Sequence, residues 1–167
     1  MDRLISVVAR CQREDGYIHT PAIIKLRQSG GDVSFEDRLN FETYNLGHLM
    51  TAACVHYRAT GKRTLLDVAI KAADFLCDFC KRAPAELAGN AICPAHYMGV
   101  MEMYRLTGDK RYLDLARQFI EIRALVENGT DDNQDRIPFR QQKEAMGHAV
   151  RANYLYAGVA DVVAETG

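Results

Sequence analysis

Three histidines recur at nearly regular intervals along the chain, and their chemistry suits the recognition of hydroxyl groups. His48 and His148 each follow a glycine, His96 follows an alanine, and the two separations are 48 and 52 residues. A neutral imidazole donates one hydrogen bond and accepts another, which allows it to fix a sugar hydroxyl. Each histidine could instead cap or pack against the start of its own helix. Recurrence at equivalent positions favours a shared role, so we predict a sugar site where the three imidazoles converge.

The cysteines imitate a zinc-binding pattern, but their positions favour buried thiols. Cys77, Cys80, Cys93 and His96 have the spacing of a zinc finger. Cys77 and Cys80, however, lie inside a long amphipathic helix, whereas paired zinc cysteines normally sit on a tight turn. The remaining cysteines also lie on apolar helix faces and are interpreted as core residues. We therefore predict that this chain itself holds no metal ion.

No pair of carboxylates has an arrangement typical of a catalytic acid and base. The helix carboxylates lack evident partners, and solvated or salt-bridged helix faces are the simplest interpretation. His56, in the middle of a helix beside Tyr57, is interpreted as a packing residue. Neither these carboxylates nor His56 is therefore a candidate catalytic residue.

Helices must position the histidines, because apolar residues recur every three or four positions over most of the chain. Alternating β-branched runs are nearly absent, so no sheet is predicted. Segment 20–42 breaks the helical pattern at Pro21 and Gly30, and it is predicted to be mostly irregular and to cover a cleft. Six helices are predicted, at residues 4–11, 44–59, 64–82, 96–106, 111–126 and 143–165.

An internal repeat predicts how these helices are arranged. Residues 57–69 align with residues 104–116 without a gap, and seven of the thirteen positions are identical. Each block contains a Thr-Gly turn between two helices, so the unit of about 50 residues is a helical hairpin. Such hairpins bury their apolar faces against neighbours and stack or close into a ring. Because Thr166-Gly167 matches the middle of the earlier hairpins, residues 1–167 are expected to form one partial domain, cut within its third hairpin.

The overall composition argues against several classes of partner. Lys and Arg number 21 and Asp and Glu number 22, which gives a formal net charge of -1. This balance provides no electrostatic footprint for nucleic acid or an anionic membrane, so a neutral small molecule or carbohydrate is the expected partner. Five cysteines without a dense framework favour reduced thiols in a cytosol-like compartment.

Two motifs stand out around the first and third histidines, Glu-x-Tyr-x-x-Gly-His-Leu at 42–49 and Gly-His-Ala-Val-Arg-Ala at 147–152. With these motifs the sequence resembles the β-L-arabinofuranosidase family, glycoside hydrolase family 127 (GH127), over nearly the whole chain. The resemblance implies an all-α (α/α)6 catalytic barrel, present here as an incomplete half-barrel. It also implies a substrate-binding subsite that includes His48, His96, His148, Glu42 and Tyr44. His96 departs from the pattern, because relatives usually have glycine before this histidine.

The same resemblance implies how the whole enzyme works. In that family a zinc-bound cysteine acts as the nucleophile and a glutamate as the acid/base, which gives hydrolysis with retention. The resemblance places both residues, and the zinc, in blocks that would follow Gly167, so this chain is expected to bind no cofactor. The predicted function is the sugar-binding part of a retaining hydrolase of furanosides such as β-L-arabinofuranosides, and this chain alone is expected to be inactive.

Two other functions fit the same pattern of histidines. A toroid epimerase or lyase would use them as general acid and base at the same mouth. A tetratricopeptide-like binding solenoid would spread them along a concave face, although its units run to only about 34 residues. A partial ring also exposes apolar helix faces, so this chain is expected to self-associate or to be only marginally stable.

Overall fold

Residues 1–167 form helices and no strand in a computed structural model that describes the whole chain, which confirms the all-α prediction. None of the helices combines the length and the hydrophobicity that crossing a lipid bilayer requires. Three short 3-10 helices lie at Arg38–Asn40, Arg123–Leu125 and Phe139–Gln141. The α-helices are α1 (Asp2–Cys11), α2 (Thr20–Ser29), α3 (Glu42–Thr60), α4 (Thr64–Arg82), α5 (Pro84–Asn90), α6 (Ala95–Thr107), α7 (Lys110–Ile122) and α8 (Ala149–Thr166).

Two α-helical hairpins form the centre of the molecule, as the internal repeat predicts. Helices α3 and α4 form the first hairpin, and α6 and α7 form the second. Gly61 and Gly108 follow the ends of α3 and α6 with φ angles of 70° and 74°, the left-handed conformation that glycine adopts most easily. The carboxylate of Asp109 then caps α7 by accepting a hydrogen bond from the Arg111 backbone N–H at 2.9 Å. The Thr-Gly turns therefore reverse the chain in both hairpins.

The helices pack in two layers. Helix α6 lies between α3 and α8 in one layer, and α4 contacts α1 and α7 in the other. Helix α4 presents Leu66, Ala69 and Leu76 to the core, because residues three or four apart share one face of a helix. One cluster of 29 buried apolar residues joins the layers. This arc of hairpins is the arrangement expected for part of an (α/α)6 toroid.

Three glycines allow α3, α6 and α8 to approach one another closely. A Cβ atom on Gly47 would lie 2.5 Å from the backbone nitrogen of His96, and one on Gly99 would lie 2.4 Å from the Gly47 carbonyl oxygen. A Cβ atom on Gly158 would lie 2.4 Å from Cβ of Tyr97. Ordinary contacts of a Cβ atom begin at 3.4 Å, so a side chain at any of these positions would push neighbouring helices apart.

Segment 20–42 differs from the prediction, because its first ten residues form α2. Pro21 lies in the first turn of this helix, where its missing N–H removes no intrahelical hydrogen bond. His19 caps the helix, and its Nδ1 accepts a hydrogen bond from the Ala22 backbone N–H at 3.4 Å. Pro21 and Gly30 therefore mark the beginning and the end of a helix. They do not make the segment between them irregular, contrary to what the sequence pattern predicts.

The C-terminal helix begins later than predicted, and one short helix is additional. Helix α8 starts at Ala149 and not at residue 143, because Gly147 has a φ angle of 82°, which lies outside the helical region. Helix α5 starts at Pro84, which the sequence pattern indicates only as the end of the preceding helix. Both differences concern residues that can either end one helix or begin another.

Candidate functional site

His48 lies against two tyrosine rings. Tyr44 and His48 are one turn apart on α3 and project from the same face, with ring centroids 4.4 Å apart and an interplanar angle of 77°. Tyr154 of α8 meets both rings, at centroid distances of 5.8 Å to His48 and 5.9 Å to Tyr44. All three pairs have the edge-to-face geometry that aromatic rings prefer. We refer to Tyr44, His48 and Tyr154 as the Tyr–His–Tyr cluster.

The polar atoms of the Tyr–His–Tyr cluster remain accessible. The Tyr154 hydroxyl lies 3.4 Å from Nε2 of His48. The pKa of Tyr154 is raised, mainly by a hydrogen bond with Tyr44 and to a smaller extent by partial burial. Its phenol is therefore protonated at neutral pH. His48 is exposed and both tyrosines are half-buried. The cluster therefore presents an imidazole and two phenols to solvent, a surface on which a sugar ring can stack and form hydrogen bonds.

The three histidines do not all start helices, contrary to the prediction. His48 is the seventh residue of α3, His96 is the second residue of α6, and His148 directly precedes α8. None of the three imidazoles stacks on another or forms a hydrogen bond with another. The structure therefore places the three histidines in different environments: His96 is buried, whereas His48 and His148 are exposed.

His96 lies in the interior, with 1% of its surface exposed. Its ring packs against Tyr97 and Phe119, at centroid distances of 4.6 Å in both cases. Burial, and to a smaller extent the nearby Arg123 guanidinium, lowers the pKa of His96 to about 3, so the imidazole is neutral at physiological pH.

His148 is exposed, and its backbone is fixed by a polar loop. Its N–H donates a hydrogen bond to the carbonyl oxygen of Asp132 at 3.1 Å. Gly147 has a positive φ angle of 82°, and a Cβ atom there would lie 1.9 Å from the carbonyl oxygen of Asp131. The glycine before His148 is therefore required by the loop, whereas the glycine before His48 is required by a helix crossing.

Glu42 is a buried anchor for the start of α3, with 3% of its surface exposed. Its carboxylate accepts one hydrogen bond from the Tyr17 hydroxyl and another from Asn90 Nδ2, the latter at 3.1 Å. The same Asn90 amide donates to carbonyl oxygens of segment 35–37 and accepts a hydrogen bond from the Thr43 backbone N–H at 3.2 Å. Because both carboxylate oxygens accept hydrogen bonds, Glu42 holds Tyr17 and Asn90 at the start of α3.

A cleft of about 400 Å³ lies beside this anchor. Its walls come from α2, the loop after it and the start of α3, with Tyr17 and Glu42 among the lining residues. Lys25 and Asp37 add charges of opposite sign. Segment 20–42 therefore forms most of the walls of this cleft itself.

Asp135 organises the connection between α7 and α8. It is buried, and its carboxylate accepts hydrogen bonds from the Thr130 backbone N–H and from Asn133 Nδ2, both at 2.6 Å. Arg38 adds an ion pair at 3.1 Å. The polar connection before His148 is thereby tied to the loop before α3.

Sequence reasoning missed Tyr154, Asn90 and Asp135, although all three position the site. Tyr154 follows the second Gly-His motif by six residues, which is the one local signal that could have indicated it. Asn90 and Asp135 lie in polar segments typical of turns. The partners of Asn90 lie 47 to 55 residues away, and the ion-pair partner of Asp135, Arg38, lies 97 residues away, so no local pattern reveals these contacts.

The residues of this chain do not fit a zinc site. No group of three or more His, Cys, Asp or Glu side chains is placed to hold a metal ion. The Cys77 sulfur faces the carbonyl oxygen of Arg111 at 3.8 Å, and the Cys80 sulfur faces Gln118 Oε1 at 3.3 Å. Burial raises the pKa of Cys77 to about 12 and that of Cys80 to about 11, whereas zinc is bound by thiolates.

The hairpin arc and its histidine–tyrosine cluster define the class of protein. Such an arc belongs to the helical-hairpin toroids, the class that includes the six-hairpin glycosidases. The family model for the catalytic domain of GH127 β-L-arabinofuranosidases matches residues 1–167. The chain therefore belongs to GH127, as its sequence blocks predict.

Individual relatives agree with this family. The chain is 33% identical to the non-reducing end β-L-arabinofuranosidase of Bifidobacterium longum subsp. longum, over 96% of this chain and 28% of that protein. A solved glycoside hydrolase is 64% identical with a TM-score of 0.81, over 100% of this chain and 25% of that one. A GH127 β-L-arabinofuranosidase from Geobacillus stearothermophilus T6 is 32% identical with a TM-score of 0.85, over 99% and 29% of the two chains. The chain thus spans between a quarter and a third of the length of these proteins.

Proposed function

We propose that this chain is part of a glycoside hydrolase that removes β-L-arabinofuranosyl units from the non-reducing ends of its substrates. The observation that carries the proposal is the match of the GH127 catalytic-domain model to all of residues 1–167. The exposed Tyr–His–Tyr cluster supports it, because imidazole and phenol groups together suit a neutral, hydroxyl-rich ligand. The formal net charge of -1 fits an uncharged substrate.

Tyr44, His48 and His148 are the proposed sugar contacts. His48 and His148 are exposed and Tyr44 is half-buried, so each can reach a bound ligand. Glu42 and His96 have a supporting role in this proposal. Glu42 fixes the first residues of α3 through its hydrogen bond with Asn90, and the backbone of His96 lies at the crossing of α3 and α6.

Hydrolysis with retention, through a covalent glycosyl intermediate, is proposed for the whole enzyme. Residues outside 1–167 would supply the cysteine nucleophile, the glutamate acid/base and the zinc ion. What supports this proposal is the match of the GH127 catalytic-domain model to a chain that spans only 25% to 29% of its relatives. Accordingly, the role of this chain is to bind and orient the sugar.

The experiment is a hydrolysis assay of the complete gene product on 4-nitrophenyl β-L-arabinofuranoside, with the α-L-anomer as the comparison. We expect release from the β-anomer only, loss of activity with a zinc chelator, and formation of the β-configured sugar as the first product by NMR. In the His48→Ala variant, kcat/KM should fall about 10- to 100-fold, since one or two hydrogen bonds to the substrate are lost. His56→Ala, eight residues further along α3, is the matched control and should retain activity. Absence of release from any furanoside would refute the proposal.

We also propose that the 167-residue chain self-associates when it is produced alone. Leu4 and Val7 of α1 are 65% and 43% exposed, and Val150 and Val163 of α8 are more than half exposed. Contiguous exposed apolar side chains favour association. Sedimentation velocity should show a concentration-dependent shift to larger species, which Leu4→Glu together with Val7→Glu should reduce. A single monomeric species at all concentrations would contradict this proposal.

A further inference from the structure

Tyr154 occupies a position that its sequence neighbours do not explain. It lies on α8, whereas the two rings that it contacts lie on α3, and α6 separates these helices in their layer. Its side chain therefore reaches across α6 to the exposed imidazole of His48. The hydroxyl group ends 3.4 Å from Nε2 of that imidazole.

We propose that Tyr154 is a positioning residue for His48, which its hydroxyl holds in a single orientation with the imidazole proton on Nδ1. The proposal rests on the function proposed above, because it assigns a role within the same sugar site. Tyr154 acts through His48 and is not itself assigned a contact with the substrate.

The hydrogen bond decides which nitrogen of His48 carries the proton. Either group could donate across this contact, but a phenol is the stronger donor and an imidazole nitrogen the stronger acceptor, so we assign Nε2 as the acceptor and place the proton on Nδ1. A ring held in this way donates from Nδ1 and offers no free Nε2, which restricts the hydroxyl groups that it can recognise.

The aromatic contacts restrict the orientation of the His48 ring. Tyr44 packs edge-to-face on one side at 4.4 Å, and Tyr154 packs at 5.8 Å with an interplanar angle of 82°. An exposed histidine would otherwise change rotamer freely. Two perpendicular rings from different helices oppose such a rotation, so the imidazole is preorganised before a ligand arrives.

The placement of α8 controls this arrangement. Gly158, one turn after Tyr154, lets α8 approach Tyr97 of α6, since a Cβ atom there would lie 2.4 Å from Cβ of Tyr97. That close contact sets how far the Tyr154 side chain extends over α6. The orientation of a residue on the first hairpin thus depends on the packing of the helix that follows the second hairpin.

The test measures the tautomer of His48 in the complete gene product, labelled with 13C-histidine and assigned with a His48→Gln variant. The 13C shift of Cδ2 distinguishes a proton on Nδ1 from one on Nε2. In the wild type we expect the Nδ1–H form, and in Tyr154→Phe a shift towards the Nε2–H form that predominates for free imidazole in water. Tyr156→Phe is the matched control, because it removes a hydroxyl from the same helix whose oxygen has no hydrogen-bond partner.

Kinetics provide the second readout. Tyr154→Phe keeps the ring and removes the hydroxyl, so KM for the aryl arabinofuranoside should rise about three- to tenfold with a smaller change in kcat. Thermal melting of Tyr154→Phe and Tyr156→Phe should be alike, which separates positioning from stability. A wild-type His48 in the Nε2–H form, or an unchanged Cδ2 shift in Tyr154→Phe, would overturn the proposal. A tautomer shift in a protein without arabinofuranosidase activity would support the positioning role and reject the proposed function.

Discussion

The substitution Gly47→Ala tests whether helix crossing depends on the absence of a side chain. Gly47 lies where α3 meets the start of α6, and an added Cβ atom would lie 2.5 Å from the Ala95 carbonyl carbon and from the His96 nitrogen. Both neighbours are backbone atoms, which cannot rotate away as a side chain would. To restore an ordinary contact of 3.4 Å, the two helices must separate by about 1 Å at the crossing.

The expected cost follows from two opposing effects. Overpacking of a tight interior contact costs about 1–3 kcal/mol, and more where the backbone must move. Alanine, in turn, is favoured over glycine in a helix by about 1 kcal/mol. Because backbone must move here, we take the upper end of the overpacking cost, about 3 kcal/mol, and expect a net loss of about 2 kcal/mol in the free energy of unfolding. For a chain of this size, that loss corresponds to a decrease in Tm of about 4–8 °C.

The assay is thermal unfolding followed by circular dichroism at 222 nm, supported by urea denaturation. The matched control is Gly89→Ala in α5, because a Cβ atom on that glycine meets no heavy atom within 4 Å and its φ angle is not positive. Gly89→Ala should leave Tm unchanged or raise it slightly. If Gly47→Ala melted at the wild-type temperature, the crossing would tolerate a side chain and the argument from close approach would be wrong.

Three further outcomes follow from buried groups. His96 is neutral in the folded protein but gains a proton in the unfolded chain below its ordinary pKa of 6.5, so stability should fall by up to about 1.4 kcal/mol per pH unit between pH 6.5 and 3. To measure this slope, the free energy of unfolding in urea is determined for the wild type and for His96→Leu at several pH values, and the two are subtracted. Asn90→Ala should cost about 3 kcal/mol in urea denaturation, because several buried partners lose a hydrogen bond. A thiol-reactive dye should label two of the five cysteines promptly, because two are half-buried and three are buried with pKa values raised to about 11 or 12.

Each of these outcomes has a result that contradicts it. The same pH dependence in the wild type and in His96→Leu would show that this imidazole is protonated in the folded protein. A loss below about 0.5 kcal/mol in Asn90→Ala would mean that water replaces the amide without cost. Prompt labelling of all five cysteines, at the rate of the denatured protein, would show that the thiols of α3 and α4 are accessible.

Local sequence signals were sufficient to predict the positions of the helices in the two hairpins. The predicted helix at 64–82 coincides with α4, whose apolar stripe is continuous and whose end is marked by Pro84. The Thr-Gly turns ended α3 and α6 where glycine takes a positive φ angle. The errors at α2 and α8 arose because Pro21 and Gly147 have two possible structural roles, and local sequence does not decide between them.

The candidate site could be predicted only in part, because its contacts join distant segments. Tyr44 and His48 are four residues apart, and a helical period alone puts them on one face. Tyr154 is 106 residues from His48, and no pattern in either helix indicates that contact. A residue pair such as Ala95-His96 also does not reveal whether the imidazole faces solvent. The crossing of α3 and α6 decides this, and that crossing is a property of packing.

The contacts of Asn90 have a consequence for the order in which the chain acquires its structure. Its amide joins residues 35–43 to a position 47 to 55 residues later in the chain. During synthesis, the segment before α3 therefore cannot reach its final conformation until residue 90 has left the ribosome. Closing a loop of that length is slower than forming a helix, so the cleft beside Glu42 should mature after both helices of the first hairpin have formed.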